Sequence, residues 1–196
     1  MIFFDRFGTR FGIVQKDLVD ESTYLFPSEK KELDKIAHPS RQIEFKGIRQ
    51  LRNVLAKDHR ISYNEYGKPF LIDSDHSISV SHSDQSICLG LAASNFGVDI
   101  ETPQQRILKI SSKFCSEEET KLFDQTSIID MTLLWTIKEA VYKTSDERGL
   151  DFKKSIRVFK SDKNNHSCLV TKKNGISEIR LRHEFFEGQI LTYTSK

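Results

Sequence analysis

Cysteine is scarce in this chain, and its arrangement excludes the usual cysteine chemistries. Cys88, Cys115 and Cys168 stand far apart and odd in number among 196 residues, with no C-x-x-C pair of the kind zinc and redox sites use. A reducing cytoplasm is the expected compartment. Long apolar runs are missing too. The longest, Ile87 to Ala93, is far too short to span a bilayer. Met1 to Arg6 is interrupted by charge where a signal peptide would stay apolar, so no membrane is expected among the partners. An excess of charge of one sign is also lacking: 30 basic against 28 acidic residues leave a net +2. Nothing points to nucleic acid, which needs basic residues concentrated on one face, and any anion site must be local. What remains, 37% hydrophobic and 30% charged residues with fourteen Phe against one Trp, is the composition of a soluble globular protein.

Along the chain, helical signals begin near Pro27-Ser28 and continue through Ser40, a plausible cap, into Ile43, Ile48, Leu51 and Val54 at roughly helical spacing. Short strands are expected at 61–63, 70–72, 77–81 and 87–92, between polar turns. Past Gly97 the order repeats: helical stretches at 117–123 and 129–144, then strands at 156–160, 168–172, 179–183 and 189–193. Helices followed by strands, twice, suggest two α+β subdomains. The seam between such halves is a natural place for a ligand cleft.

Four segments carry candidate chemistry. In Gly97-Val98-Asp99-Ile100-Glu101 the two carboxylates lie two apart, so on a strand they share one side. Such a pair suits Mg²⁺, a hard ion that takes oxygen ligands, although alternating charge also suits a solvated strand face. In the segment from Trp135 to Lys143, Leu134, Ile137 and Val141 make a buried stripe, while Glu139 and Lys143 share another face, as an ordinary i,i+4 pair would. Ser81-His82-Ser83 ends a strand in groups able to hydrogen-bond phosphate or simply to satisfy one another. Tyr66-Gly67-Lys68-Pro69 is a turn by composition. In contrast, Ser116 followed three residues later by Glu119 is a helix capping box, and is expected to be structural.

Taken together, in order and spacing, these segments resemble the 4'-phosphopantetheinyl transferase superfamily, specifically its two-subdomain, surfactin-synthetase-activator-like type. The resemblance rests on Arg41 to Arg52 (R-Q-I-E-F-K-G-I-R-Q-L-R), Gly67-Lys68-Pro69, Ser81-His82-Ser83, G-V-D-I-E at 97–101, Phe114 to Glu119, and W-T-I-K-E-A-V-Y-K at 135–143. G-V-D-I-E followed by W-x-x-K-E-A-x-x-K is its specific part. It implies an α+β fold of two similar subdomains packed as a pseudo-dimer, residues 1–96 on the adenosine side of coenzyme A and residues 97–196 bearing the metal ligands and catalytic helix. Asp99, Glu101 and Glu139 are then the implied Mg²⁺ ligands. Lys138 and Lys143 would neutralise the coenzyme A diphosphate. Arg41, Arg49 and His82, with Ser81 beside it, would hold the adenosine end and its 3'-phosphate, while Lys68 and Pro69 would line the adenine. The length implies a fused monomer with one active site.

The implied activity is transfer of 4'-phosphopantetheine from coenzyme A to a serine of an apo acyl or peptidyl carrier protein. Its chemical demands match the residue types: charge builds on a leaving phosphate, a divalent ion stabilises it, and a carboxylate takes the serine proton. Glu139 is the first expectation for that base and Glu101 the second, with Lys143 beside them. A metal-dependent phosphodiesterase would use a similar D-x-E, distant Glu and Lys. A non-catalytic coenzyme A or carrier-binding protein would have no need of the carboxylates.

Overall fold

The computed structural model describes residues 1–145 and 149–195. Two compact units emerge, Met1–Asn95 and Phe96–Lys196. In the first, β1 (Ile2–Arg6) and β2 (Thr9–Gln15) form an antiparallel hairpin. Its two-residue turn, Phe7-Gly8, has positive φ at both positions, the turn whose twist matches that of the flanking strands. This hairpin was not expected from the sequence, because Ile2, Phe3 and Phe4 are consecutive and break the alternation that marks a half-buried strand. The unit therefore begins with strands, not with a helix.

Next come α1 (Pro27–Leu33) and α2 (Pro39–Leu55), where one continuous helical region was expected. Pro39 separates them. Its ring disfavours helical geometry at the preceding residue, and His38 is extended, with φ −86° and ψ 122°. Pro39 itself occupies the first helical turn, where a missing N–H costs nothing, and Ser40 falls inside the helix and does not cap it. The four expected short strands follow as β3 (Ile61–Tyr63), β4 (Pro69–Leu71), β5 (Ser77–His82) and β6 (Ser86–Ala92). The main sheet runs β1-β2-β6-β5, and β3 with β4 forms a separate hairpin. Ile48, Leu51 and Leu55 of α2 share a buried cluster with Val14, Ile87 and Leu89, whereas Val54 is half exposed and lies off that stripe. Gly47 lets the helix approach closely: a Cβ there would collide with Ile87.

In the second unit, β7 (Val98–Glu101) precedes α3 (Arg106–Ile110), α4 (Ile128–Lys143), β8 (Ile156–Asp162), β9 (Asn165–Lys172), β10 (Gly175–Phe186) and β11 (Gln189–Ser195). The helix expected at 117–123 is only a single 3-10 turn, Glu119–Lys121. The strands form one antiparallel sheet, β7-β11-β10-β9-β8. Ser127 caps α4 by accepting from the Asp130 N–H. Met131, Leu134, Ile137 and Val141 of α4 are buried in one cluster with Ile156, Val158, Cys168 and Val170, and each such side chain stabilises the fold by about 2 kcal/mol. The chain is thus α+β, each unit pairing an antiparallel sheet with one long helix. Among the described residues no helix is long and apolar enough to cross a membrane.

Candidate active site

In the second unit the site is built where β7 meets α4. Gly97, Asp99 and Glu101 share one side of the strand, and all three address the helix. A Cβ at Gly97 would run into the carbonyl oxygen of Ala140, so only glycine allows this approach. Beyond it, Lys143 Nζ donates to Asp99 Oδ1 at 2.8 Å and to the Val98 carbonyl at 2.9 Å. The Trp135 indole N–H donates to Glu101. Trp135 itself packs edge-on against Phe114, with ring centroids 5.2 Å apart.

The carboxyls of this site are crowded. Burial first, and then the charge of Asp99, push Glu101 up to about 7 against the opposing pull of Trp135, Arg106 and Lys143. Glu139 is likewise pushed up to about 7 by burial and by Asp99, with Lys143 offsetting only part of the effect. Both groups therefore change protonation near neutrality, where a general base is most effective. Glu101 also borders a cavity of about 230 Å³ whose walls include Thr102, Arg106, Ile107 and Ile110.

Does this arrangement suit a metal? Among the described residues no three His, Cys, Asp or Glu side chains stand as a ready-made metal group, and Asp99 holds the ammonium of Lys143. The donor chemistry nevertheless fits Mg²⁺, which needs only one or two carboxylates beside water and phosphate. Two carboxyls displaced toward 7 by burial and by a neighbouring anion are groups whose charged forms a divalent cation would favour.

In the first unit a second cluster forms around Glu44. Its Oε1 accepts from Lys16 Nζ at 2.9 Å. Its Oε2 faces both Arg41 Nη1 at 3.2 Å and His82 Nε2 at 3.4 Å. Burial raises the Glu44 pKa, but the Lys16 hydrogen bond and the charges of His82, Lys16 and Arg41 outweigh it and hold the carboxyl below its usual value. Arg41 and His82, both expected at the 3'-phosphate, are thus brought together. Ser81 is buried next to His82, while Ser83 accepts the Gln85 and Ser86 N–H groups and closes the β5–β6 turn. Lys68 donates to Asn95 Oδ1 at 3.0 Å, and Pro69 opens β4.

Two residues expected to meet the ligand are instead buried in ion pairs, Arg49 and Lys138. Arg49 is fully buried, its Nε 3.3 Å from Glu29 Oε1 and its guanidinium 3.6 Å above the Phe45 ring. Arg52 completes the pairing through Nη2 at 2.8 Å from Glu29 Oε2. Withdrawing one partner from such a buried pair costs about 3–5 kcal/mol, so Arg49 is not offered to a phosphate. Lys138 is also fully buried. Its Nζ meets the carbonyls of Phe114, Phe152 and Ile156 at 2.6–2.8 Å and Glu119 Oε2 at 2.8 Å. An ammonium has three donors, and these acceptors saturate it. Glu119 closes the expected capping box, accepting from the Ser116 N–H at 2.8 Å, and additionally anchors Lys138 and the Val158 N–H.

Lys16, Glu44 and Trp135 went unassigned from the sequence. Glu44 lies three residues after Arg41, so helical spacing signalled it, whereas Trp135 meets Glu101 on another element, which no such spacing signals. Lys16 is 28 residues from its partner and carried no such signal.

This geometry accords with the comparisons to known proteins. Residues 95–194 match the 4'-phosphopantetheinyl transferase superfamily, and the chain belongs to that superfamily. It is 30% identical over 144 residues to the 4'-phosphopantetheinyl transferase gsp of Aneurinibacillus migulanus, an alignment that spans 71% of this chain and 59% of that relative's length.

Proposed function

We propose that the protein transfers the 4'-phosphopantetheine arm of coenzyme A to a serine of an apo acyl or peptidyl carrier protein, releasing 3',5'-ADP. The observation that carries this reading is Asp99, paired to Lys143, whose charge adds to burial in pushing Glu101 and Glu139 up to about 7. Asp99, Glu101 and Glu139 would hold Mg²⁺, which supplies charge stabilisation to the leaving phosphate and orients the reactants when bound. Lys143, already shared between a carboxylate and a carbonyl, would take the diphosphate oxygens. Trp135 would keep the Glu101 carboxylate oriented.

In the step itself, the serine oxygen forms a bond to the phosphorus bearing pantetheine, and the phosphoanhydride bond to 3',5'-ADP breaks. The serine proton goes to Glu139, or to Glu101 as second choice; either carboxyl, with its pKa near 7, is deprotonated often enough to accept it. Arg41, Ser81 and His82 would receive the 3'-phosphate end, and Lys68 and Pro69 the adenine. The unit ending at Asn95 would then serve binding of adenosine and the unit from Phe96 the chemistry, in a monomer acting in the cytoplasm.

The deciding experiment is incubation with coenzyme A, Mg²⁺ and a panel of apo carrier proteins, followed by intact mass. Gain of one phosphopantetheine arm by a carrier is expected. Cleavage of coenzyme A without a modified carrier would instead identify a phosphodiesterase, and binding without either product a non-catalytic protein.

A further inference from the structure

The basic cluster of the first unit already contains an anion, and its charge arithmetic is informative. Lys16, Arg41 and His82 all act on Glu44 as positive partners, and the one carboxylate cancels part of the charge they present. A phosphate monoester carries nearly two negative charges at neutral pH. With Glu44 in place part of the cluster's positive charge is cancelled; with Glu44 turned away all of it faces the ligand. The geometry shows how that exchange would proceed. Glu44 Oε1 has one short bond, to Lys16, but Oε2 is shared at longer range between Arg41 and His82. The latter two side chains are 66% and 39% exposed while Glu44 is 10% exposed, so the loosely held side of the carboxylate is the one open to an incoming anion.

We infer that Glu44 is a resident stand-in for phosphate, which the terminal phosphate monoester of a ligand must displace from Lys16, Arg41 and His82. Resting on the coenzyme A reading above, this makes Glu44 a determinant of selectivity for the 3'-phosphate and Lys16 a third cation for it. No bond is made or broken; one anion replaces another on the same three donors. In the free chain Glu44 keeps like charges from repelling one another, and on binding its own charge opposes the ligand's.

The test is calorimetry on the full chain with coenzyme A, dephospho-coenzyme A and inorganic phosphate. Glu44→Gln keeps the size of the side chain and removes its charge. Coenzyme A and phosphate are expected to bind roughly tenfold more tightly to this variant, the scale of removing one like charge at contact range in a partly screened site. Dephospho-coenzyme A should change by less than about twofold. Unchanged or weakened coenzyme A binding by a folded Glu44→Gln overturns the inference. Should that variant not fold, Lys16→Met decides: it is expected to lose affinity for coenzyme A and not for dephospho-coenzyme A, and equal losses overturn it. The phosphate arm separates the two readings. Phosphate binding that tightens in Glu44→Gln, with no binding of coenzyme A to either protein, overturns the coenzyme A reading while upholding displacement of Glu44. Coenzyme A binding that is insensitive to Glu44 and Lys16 overturns displacement alone.

Discussion

The two units carry charge clusters of opposite design. In the first, three basic side chains, Lys16, Arg41 and His82, surround one carboxylate, Glu44. In the second, Asp99 pairs with one ammonium, Lys143, and its charge adds to burial in raising two further carboxyls, Glu101 and Glu139. The first has the sign to receive an anion and the second the sign to receive a cation. In each, the minority charge prevents the majority from repelling itself apart, and is also what a ligand of the right sign would replace or share. The difference lies in protonation. Glu44 is held ionised by its neighbours, whereas Glu101 and Glu139 are driven toward their neutral forms. On the proposed function, binding and proton transfer would fall to different clusters through the same electrostatics acting with opposite signs.

Glu139→Gln is the most severe way to break this contrast. It keeps the shape of the side chain and removes both charge and basicity, so carrier modification should fall roughly 10²–10⁴-fold. Coenzyme A binding measured by calorimetry should persist through the first unit, and added Mg²⁺ should not restore turnover. Near-normal modification rates would remove Glu139 from the chemistry. Lys143→Ala comes next. It should weaken coenzyme A binding and turnover together, by roughly tenfold or more, as expected when a charge-assisted contact is lost. Wild-type affinity in that variant would mean that Lys143 serves only to neutralise Asp99.

A subtler effect sharpens the contrast through pH. Glu101 and Glu139, near 7 when folded against 4.5 for an ordinary exposed carboxyl, bind more protons in the folded than in the unfolded chain between those values. Their contribution is fully present below about 4.5 and is lost as pH rises through about 7, on the order of a few kcal/mol together. Glu44, depressed when folded, acts in reverse: its contribution is present above its unfolded pKa and is lost as pH falls through the folded one. The single Trp, Trp135, stands in the second unit beside Glu101, so its fluorescence during urea unfolding reports that unit. In a chelator the second unit should therefore be less stable at about pH 8 than at about pH 6.5, a window above most of the opposing effect of the buried His166 and His183, whose pKa values burial lowers, and Mg²⁺ should reduce the deficit. A flat profile would separate these carboxyls from burial and from Asp99. The smallest expected effect is on Trp135 itself in the folded chain: its emission should shift as Glu101 ionises near pH 7, and again on addition of Mg²⁺. No shift in either titration would mean that the indole does not report on Glu101.

Much of the second unit's site was legible in the sequence because it rests on local rules. Strand alternation put Asp99 and Glu101 on one side, and helical spacing placed the apolar stripe of α4 opposite Glu139 and Lys143. The first unit was less legible. Its opening hairpin has consecutive apolar residues in place of alternation, and a single proline divided what looked like one helix. Basic residues along α2 were also indistinguishable by type: Arg41 and Arg49 lie on the same helix, yet one is largely exposed beside His82 and the other fully buried against Glu29. Lys138 and Lys143 differ in the same way, one saturated in the core and the other at Asp99.

By itself, then, the sequence determined what nearest neighbours can decide: the α+β class, most strands, the long helices, the capping box at Ser116 and Glu119, and the family through G-V-D-I-E and W-x-x-K-E-A-x-x-K. Tertiary structure alone decided which of several chemically equivalent cations are buried in ion pairs and which reach the surface, and it recruited Lys16 to Glu44 across 28 residues of chain. The physical reason is that a charge's role depends on its burial and on what lies within a few ångströms of it. Both are properties of the folded chain, and neither is written in residue type or in spacing along a single element.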